Sequence, residues 1–244
     1  VRPLVYQITN AVSAQLQADC VALLGGVSIM SRQRAEAREI AAAADALLIN
    51  IGTPPDDAGE LYRAAASAAS ERGIPMVLDL VGYGFSKYRT AIADALLSEF
   101  RFSVIKGNEA EIGALCGAGT APRGVSSDVH LAEAARLTAR CAKRRRCVVY
   151  STGETDNLSD GKESFVIDGG SPLLHGTSGI GCALGSATAL YCARERPLAA
   201  ARRTLTLFRR AAAEAASDAE GPYSFRMRFM DGLYRYGSLE NGVK

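Results

Sequence analysis

Ala46-Leu47-Leu48-Ile49-Asn50-Ile51, the Ala-rich segment from Ala58 to Arg72, and Met76-Val77-Leu78-Asp79-Leu80-Val81 follow one another with short polar joints. The two flanking runs are apolar and of strand length, whereas the segment between them is rich in alanine, which favours helix and allows close packing on a sheet. Strand, helix, strand in that order is a βαβ unit, and its repetition along a chain builds a mainly parallel sheet flanked by helices. The alternation continues outward in both directions. Further strands are expected at 4–8, 27–30, 103–105 and 147–151, and helices at 10–24, 36–44, 89–100, 109–116 and 131–143. Past Tyr150 the texture changes. Residues 157–167 read as two short strands joined through Asp160-Gly161, a hairpin turn signal. Three helices at 181–194, 198–216 and 223–236 complete the chain, and 117–127 reads as a surface loop. With no repeat or long linker, residues 1–244 read as a single α/β domain.

Composition narrows the function classes. Of 244 residues 48% are hydrophobic and 22% charged, as in ordinary globular proteins, which excludes disordered and collagen-like chains. A formal charge of +2 is too small for a phosphate-neutralising surface, so nucleic acid is not an expected partner. The basic run Lys143-Arg144-Arg145-Arg146 reads as a solvated helix end, where cations are favoured. No apolar stretch reaches the ~18 residues of a membrane span. Val1-Arg2-Pro3-Leu4-Val5 lacks the layout of a signal peptide, and its start without Met suggests a trimmed chain or an internal domain. Six cysteines without a CxxC pair fit a reducing, cytoplasmic setting; five read as small buried hydrophobes.

In open α/β sheets ligands bind beyond the carboxyl ends of the strands. Thr9-Asn10, Gly52-Thr53, Asp79 to Gly84, Lys106-Gly107-Asn108-Glu109-Ala110-Glu111 and Ser151-Thr152-Gly153-Glu154 all fall there. Gly176-Thr177-Ser178-Gly179-Ile180-Gly181-Cys182 then runs straight into a helix of small residues. Glycines in such a loop let backbone N–H groups approach an anion at the positive end of the helix, a phosphate cradle that is neither a Walker A loop nor a dinucleotide fingerprint. A glycine-rich turn that merely allows close helix packing is the alternative. Cys182, in the first turn, reads as a reactive thiol or a buried inert one. Asp79 and Glu111, after two different strands, could hold a magnesium ion directly or through water, or could be a cap and a solvated helix residue. Asp79 lies inside an apolar run and there requires a partner. His130 reads as surface, and His175, just before the glycine-rich loop, as a residue within reach of a ligand.

Pro3-Leu4-Val5-Tyr6-Gln7-Ile8-Thr9-Asn10, Ser28-Ile29-Met30, Ala46 to Thr53, Val77-Leu78-Asp79-Leu80-Val81-Gly82, Lys106 to Ile112, Ser159-Asp160-Gly161, Gly181-Cys182 and Gly221-Pro222-Tyr223-Ser224-Phe225 together resemble, in order and spacing, the signatures of the hydroxyethylthiazole kinase family. The resemblance implies a ribokinase-like three-layer α/β sandwich, a homotrimer with active sites at subunit interfaces, and phosphorylation of 4-methyl-5-(2-hydroxyethyl)thiazole by ATP with Mg²⁺ in thiamine salvage. It implies that Met30, Gly179 and Asn10 bind the thiazole, that Lys106, Thr152, Gly181 and Asn108 bind ATP, that Asp79 and Glu111 serve the magnesium, and that Cys182 is catalytic, at the helix start where related sugar and pyrimidine kinases carry an Asp. The sequence departs from the family pattern at four places. Ile180 stands for a Thr, Lys106 for an Arg, Leu80 for a Pro, and Tyr6-Gln7 for a His-bearing pair. Two other readings follow from these features: a related small-alcohol kinase of the hydroxymethylpyrimidine or pyridoxal type, or a catalytically weak thiazole- or nucleotide-binding trimer.

Overall fold

The computed structural model describes residues 1–117 and 127–240. Six parallel strands form the body of one sheet: β1 (Leu4–Ile8), β2 (Val27–Met30), β3 (Ala46–Asn50), β4 (Met76–Asp79), β5 (Val104–Asn108) and β6 (Val148–Thr152). The expected hairpin is present as β7 (Asp156–Ser159) and β8 (Ser164–Ile167), both antiparallel, and the strand order is β2-β1-β3-β4-β5-β6-β7-β8. Its turn is set by Asp160, whose Oδ1 accepts the N–H groups of Lys162 and Glu163, both at 2.8 Å.

Successive strand residues point to opposite faces, so two cores form. On one face Val5, Leu48, Val77, Val104 and Tyr150 pack under α1 (Ala14–Leu23), α8 (Ile180–Cys192), α9 (Pro197–Ala216) and α10 (Pro222–Glu240). On the other Tyr6, Ile8, Leu47, Ile49, Leu78, Ile105 and Val149 pack under α2 (Arg34–Ala43), α3 (Ala58–Arg72), α4 (Lys87–Glu99), α5 (Glu109–Leu115) and α6 (Ser127–Arg145). The result is the mainly parallel, helix-flanked sheet expected from the alternation, in the three-layer arrangement that the resemblance implies. α8, apolar all round, is almost wholly buried, as such a helix must be.

Boundaries shift for identifiable reasons. α3 ends at Gly73, whose φ of +66° suits a left-handed cap. The first helix begins at Ala14 and not at residue 10, because Asn10 Oδ1 captures the N–H groups of Val12 and Ser13 and bends the chain first. β5 runs on through Lys106, Gly107 and Asn108, which pair with Tyr150, Ser151 and Thr152 of β6. A short α7 (Leu173–Gly176), unforeseen in the sequence, precedes the glycine-rich loop. α6 does end in the basic run, with Lys143, Arg144 and Arg145 in its last turn. All six cysteines are free; Cys20, Cys116, Cys141 and Cys192 are buried, and Cys147 is only half-buried. Most of the expected 117–127 loop, and the side chains of His130 and His175, lie outside the described residues. No helix among the described residues is long and apolar enough to cross a membrane.

Candidate functional site

The carboxyl ends of β1, β3, β4, β5 and β6 lie side by side, and the first turn of α8 comes down onto them. Gly179 is the N-cap of this helix at φ +93°, with no side-chain cap and no acidic residue in the first turn. A Cβ there would stand 2.9 Å from Ser13 Cβ, so glycine is required by both conformation and space. The leading N–H groups of a helix have no partner within it, and here Gly181 is exposed. A Cβ on Gly181 would meet only Lys106 Nζ, at 4.0 Å. The tip is open, electropositive and flanked by a buried cation.

Beneath it four adjacent strands supply a directed chain of hydrogen bonds. Lys106 Nζ donates to Asp79 Oδ1 at 2.8 Å, Asn50 Nδ2 to Asp79 Oδ2 at 2.7 Å, and Asn10 Nδ2 both to Asn50 Oδ1 at 3.0 Å and to Cys182 Sγ at 3.2 Å. Both amides are locked in orientation. Gly52 N–H donates to Asn50 Oδ1 at 2.9 Å, and the Val12 and Ser13 N–H groups donate to Asn10 Oδ1 at 3.1 and 3.0 Å, so neither amide can flip without losing its backbone donors. The sulfur of Cys182 therefore faces an N–H donor. Asp79 has the partners its apolar run demanded. Burial pushes its carboxyl up to about 6 while Lys106 pulls the other way; on Lys106 burial is the largest single influence and lowers its pKa, but Asp79 together with Cys182, Tyr150 and Glu111 outweighs it and holds the ammonium above the usual lysine range. At neutral pH the two form a buried ion pair.

A cavity of about 210 Å³ opens on the other side of the tip, lined by Asn108, Thr152, Gly153, Ile180, Gly181 and Arg209 among others. Asn108, Thr152 and Gly181, three residues expected to bind nucleotide, are thus brought together. Asn10, Gly179 and Cys182 form a second group, Gly179 reaching it through Ser13, which bonds Asn10 Oδ1 at 2.9 Å. Met30 stands apart, half-buried on edge strand β2 in register with Gln7. Glu111 caps its own helix: its Oε1 accepts Gly82 N–H and its Oε2 Asn108 N–H, both at 2.8 Å, completing a capping box with Asn108.

Asp79 and Glu111 share no metal-like cage, and no cluster of three or more His, Cys, Asp or Glu arises among the described residues. Magnesium, however, keeps several waters and binds by one or two carboxylates plus substrate phosphates. Each Glu111 oxygen takes a single backbone donor and retains a lone pair, so the residues fit an ion held through water and phosphate.

The four departures are absorbed by packing. Ile180 is buried at the cavity wall, Leu80 is fully buried, Gln7 bonds Ser28 Oγ at 2.7 Å and Ser186 Oγ at 2.6 Å, and Lys106 forms the pair with Asp79. Sequence reasoning overlooked Asn50 and Arg209. The first could have been found by the rule that drew attention to Asp79, a polar residue within an apolar run. The second sits among several arginines of α9 and carries no local signal.

The model of the hydroxyethylthiazole kinase family matches residues 1–238. The hydroxyethylthiazole kinase of Chloroflexus aurantiacus is 40% identical over 235 residues, covering 96% of this chain and 87% of that protein. The solved structure of the hydroxyethylthiazole kinase protein from Pyrococcus horikoshii superposes with a TM-score of 0.88 at 36% identity, covering 96% of this chain and 88% of that one. Staphylococcus aureus pyridoxal kinase, in complex with AMP-PCP and pyridoxal, matches with a TM-score of 0.63 at 15% identity over 88% of this chain and 89% of that one, a likeness of fold alone.

Proposed function

Since the chain belongs to the hydroxyethylthiazole kinase family and is a kinase of ribokinase-like fold, we propose that it transfers the γ-phosphoryl group of ATP, with Mg²⁺, to the primary alcohol of 4-methyl-5-(2-hydroxyethyl)thiazole. One observation carries this reading: the open, uncapped tip of α8 stands between a cavity holding Asn108 and Thr152 and a second group holding Asn10 and Cys182. A phosphoryl donor on one side and an alcohol on the other would meet at that tip.

The N–H groups of Ile180, Gly181 and Cys182 cradle the transferring group, and Lys106, with donors left beyond its bond to Asp79, adds a positive charge beneath it. Glu111 and Asp79 are the residues that would hold the magnesium, and the ion would supply positive charge against the phosphate oxygens. Asn10 fixes the Cys182 sulfur, and Cys182 orients the alcohol; little proton removal is needed before bond making when the transition state is loose. Met30, which stands apart from Asn10 and Cys182 within one subunit, would offer its thioether to the flat thiazole where a neighbouring subunit completes the site. Val12, Phe85 and Tyr88 are exposed large hydrophobics on segments that follow β1 and β4, which supports contact between subunits over the sites; that the subunits number three rests on the family resemblance. Six free thiols support a cytoplasmic setting.

An ADP-release assay with hydroxyethylthiazole, pyridoxal and hydroxymethylpyrimidine tests the reading. Turnover of the thiazole alone supports it, preference for another alcohol makes the protein a different small-alcohol kinase, and binding without turnover makes it a weak binder. Cys182→Asp is expected to retain or raise turnover. Cys182→Ala is expected to lower kcat by about tenfold, short of the ~10²–10⁴ that a true general base contributes. Complete inactivity of both variants contradicts the orienting role.

A further inference from the structure

We propose that Arg209 is a positioning residue for the nucleotide, acting by clamping the turn after β6 from behind; this rests on the reading of the 210 Å³ cavity as the ATP pocket. Arg209 lies on α9, lines that cavity, and is 7% exposed. Its guanidinium has five N–H donors, and each has an acceptor. Nε donates to Asp156 Oδ2 at 2.7 Å and Nη2 to Asp156 Oδ1 at 2.6 Å, a bidentate pair. Nη2 also donates to the Gly153 carbonyl at 2.9 Å, and Nη1 to the carbonyls of Glu154 and Gly169, both at 2.8 Å.

Two consequences follow from that saturation. No N–H is left for a phosphate, so Arg209 is not a further phosphate-binding cation despite its place in the wall. The donors instead converge on one short turn, Gly153 to Asp156, and tie it to Gly169 beyond β8. Thr152 and Gly153, which line the cavity, are the last residue of β6 and the first of this turn. Asp156 and Arg209 are both nearly buried, and a buried ion pair contributes little stability that well-packed apolar residues could not match. What the fork supplies is geometry: five directed bonds that only a planar guanidinium can make at once. Lysine, a single flexible ammonium, keeps the charge and loses that geometry. None of the recorded bonds of Arg209 reaches Asn10 or Cys182, so the effect should be confined to the nucleotide.

The test is steady-state kinetics of the full chain with ATP and hydroxyethylthiazole varied separately, alongside thermal melts. Arg209→Lys is expected to raise the KM for ATP by about 10-fold to 100-fold, the scale of a displaced positioning contact, while the KM for the thiazole stays within about twofold. Asp156→Asn, which preserves shape and the three carbonyl bonds, should give a smaller shift in the same direction, and it serves in place of the lysine variant if that variant does not fold. Unchanged constants for ATP, or equal rises for both substrates in step with a lowered melting temperature, overturn the proposal and leave Arg209 a purely structural residue. A wild-type enzyme that turns over the thiazole with a donor other than a nucleotide overturns the pocket assignment and this inference with it; that failure is visible before any variant is made.

Discussion

Gly181→Val should abolish turnover while leaving the fold intact. A Cβ at Gly181 encounters nothing closer than Lys106 Nζ at 4.0 Å, and the position is exposed in the first turn of α8, so no packing is disturbed. Its effect on stability should stay within about 0.5 kcal/mol, as for substitutions away from packed features. The two methyl groups, however, project over the leading N–H groups and into the cavity that Gly181 lines. Removing one preorganised donor of this kind costs about 10²–10³ in kcat, and a side chain that blocks several at once should exceed that. Kinetics, titration with a non-hydrolysable ATP analogue and a thermal melt together check the prediction. Retained nucleotide binding in a well-folded Gly181→Val protein would remove the α8 tip from the mechanism.

Lys106→Met should fail in a different way, losing both activity and stability. The substitution leaves Asp79 fully buried with Asn50 as its one remaining hydrogen-bond partner among the described residues. Breaking a buried pair by removing one member costs about 3–5 kcal/mol. The cost should depend on pH in a defined sense. In the wild type burial already lifts the Asp79 carboxyl to about 6, and without Lys106 it rises further. A carboxyl whose folded pKa lies above its unfolded value of about 3.9 destabilises the fold only when ionised. The deficit of Lys106→Met should therefore be greatest above that raised pKa and shrink as the pH falls towards about 4. Adding Asp79→Asn should recover much of the stability at neutral pH and none of the turnover, because the charge beneath the phosphoryl group is still missing. Urea melts at acid and alkaline pH, with parallel assays, decide it. A deficit that grows on acidification would show that Asp79 and Lys106 are not paired as described.

These two residues also show how far the chain could be read before folding. Lys106 and Gly181 both stand out in the sequence, one after an apolar run, the other in a glycine-punctuated helix start. That Lys106 points at Asp79, 27 positions away, could not be seen there. Asn50 lies within an apolar run, and the argument that a buried polar group needs a partner applies to it as much as to Asp79.

The layered α/β architecture is legible because it rests on local periodicity: apolar runs such as Ala46–Asn50 and an alanine-rich α3 can be recognised from neighbours within a few residues. The glycines of the α8 tip are legible for the same reason, since a left-handed φ at Gly179 is a local demand. The relay from Lys106 to Cys182 and the grip of Arg209 on Asp156 are decided by strand order. Only when β1, β3, β4 and β5 lie as neighbours do Asn10, Asn50, Asp79 and Lys106 come within hydrogen-bonding distance. Such a bond forms over about 3 Å whatever the separation along the chain, so nothing in the spacing of these residues announces it.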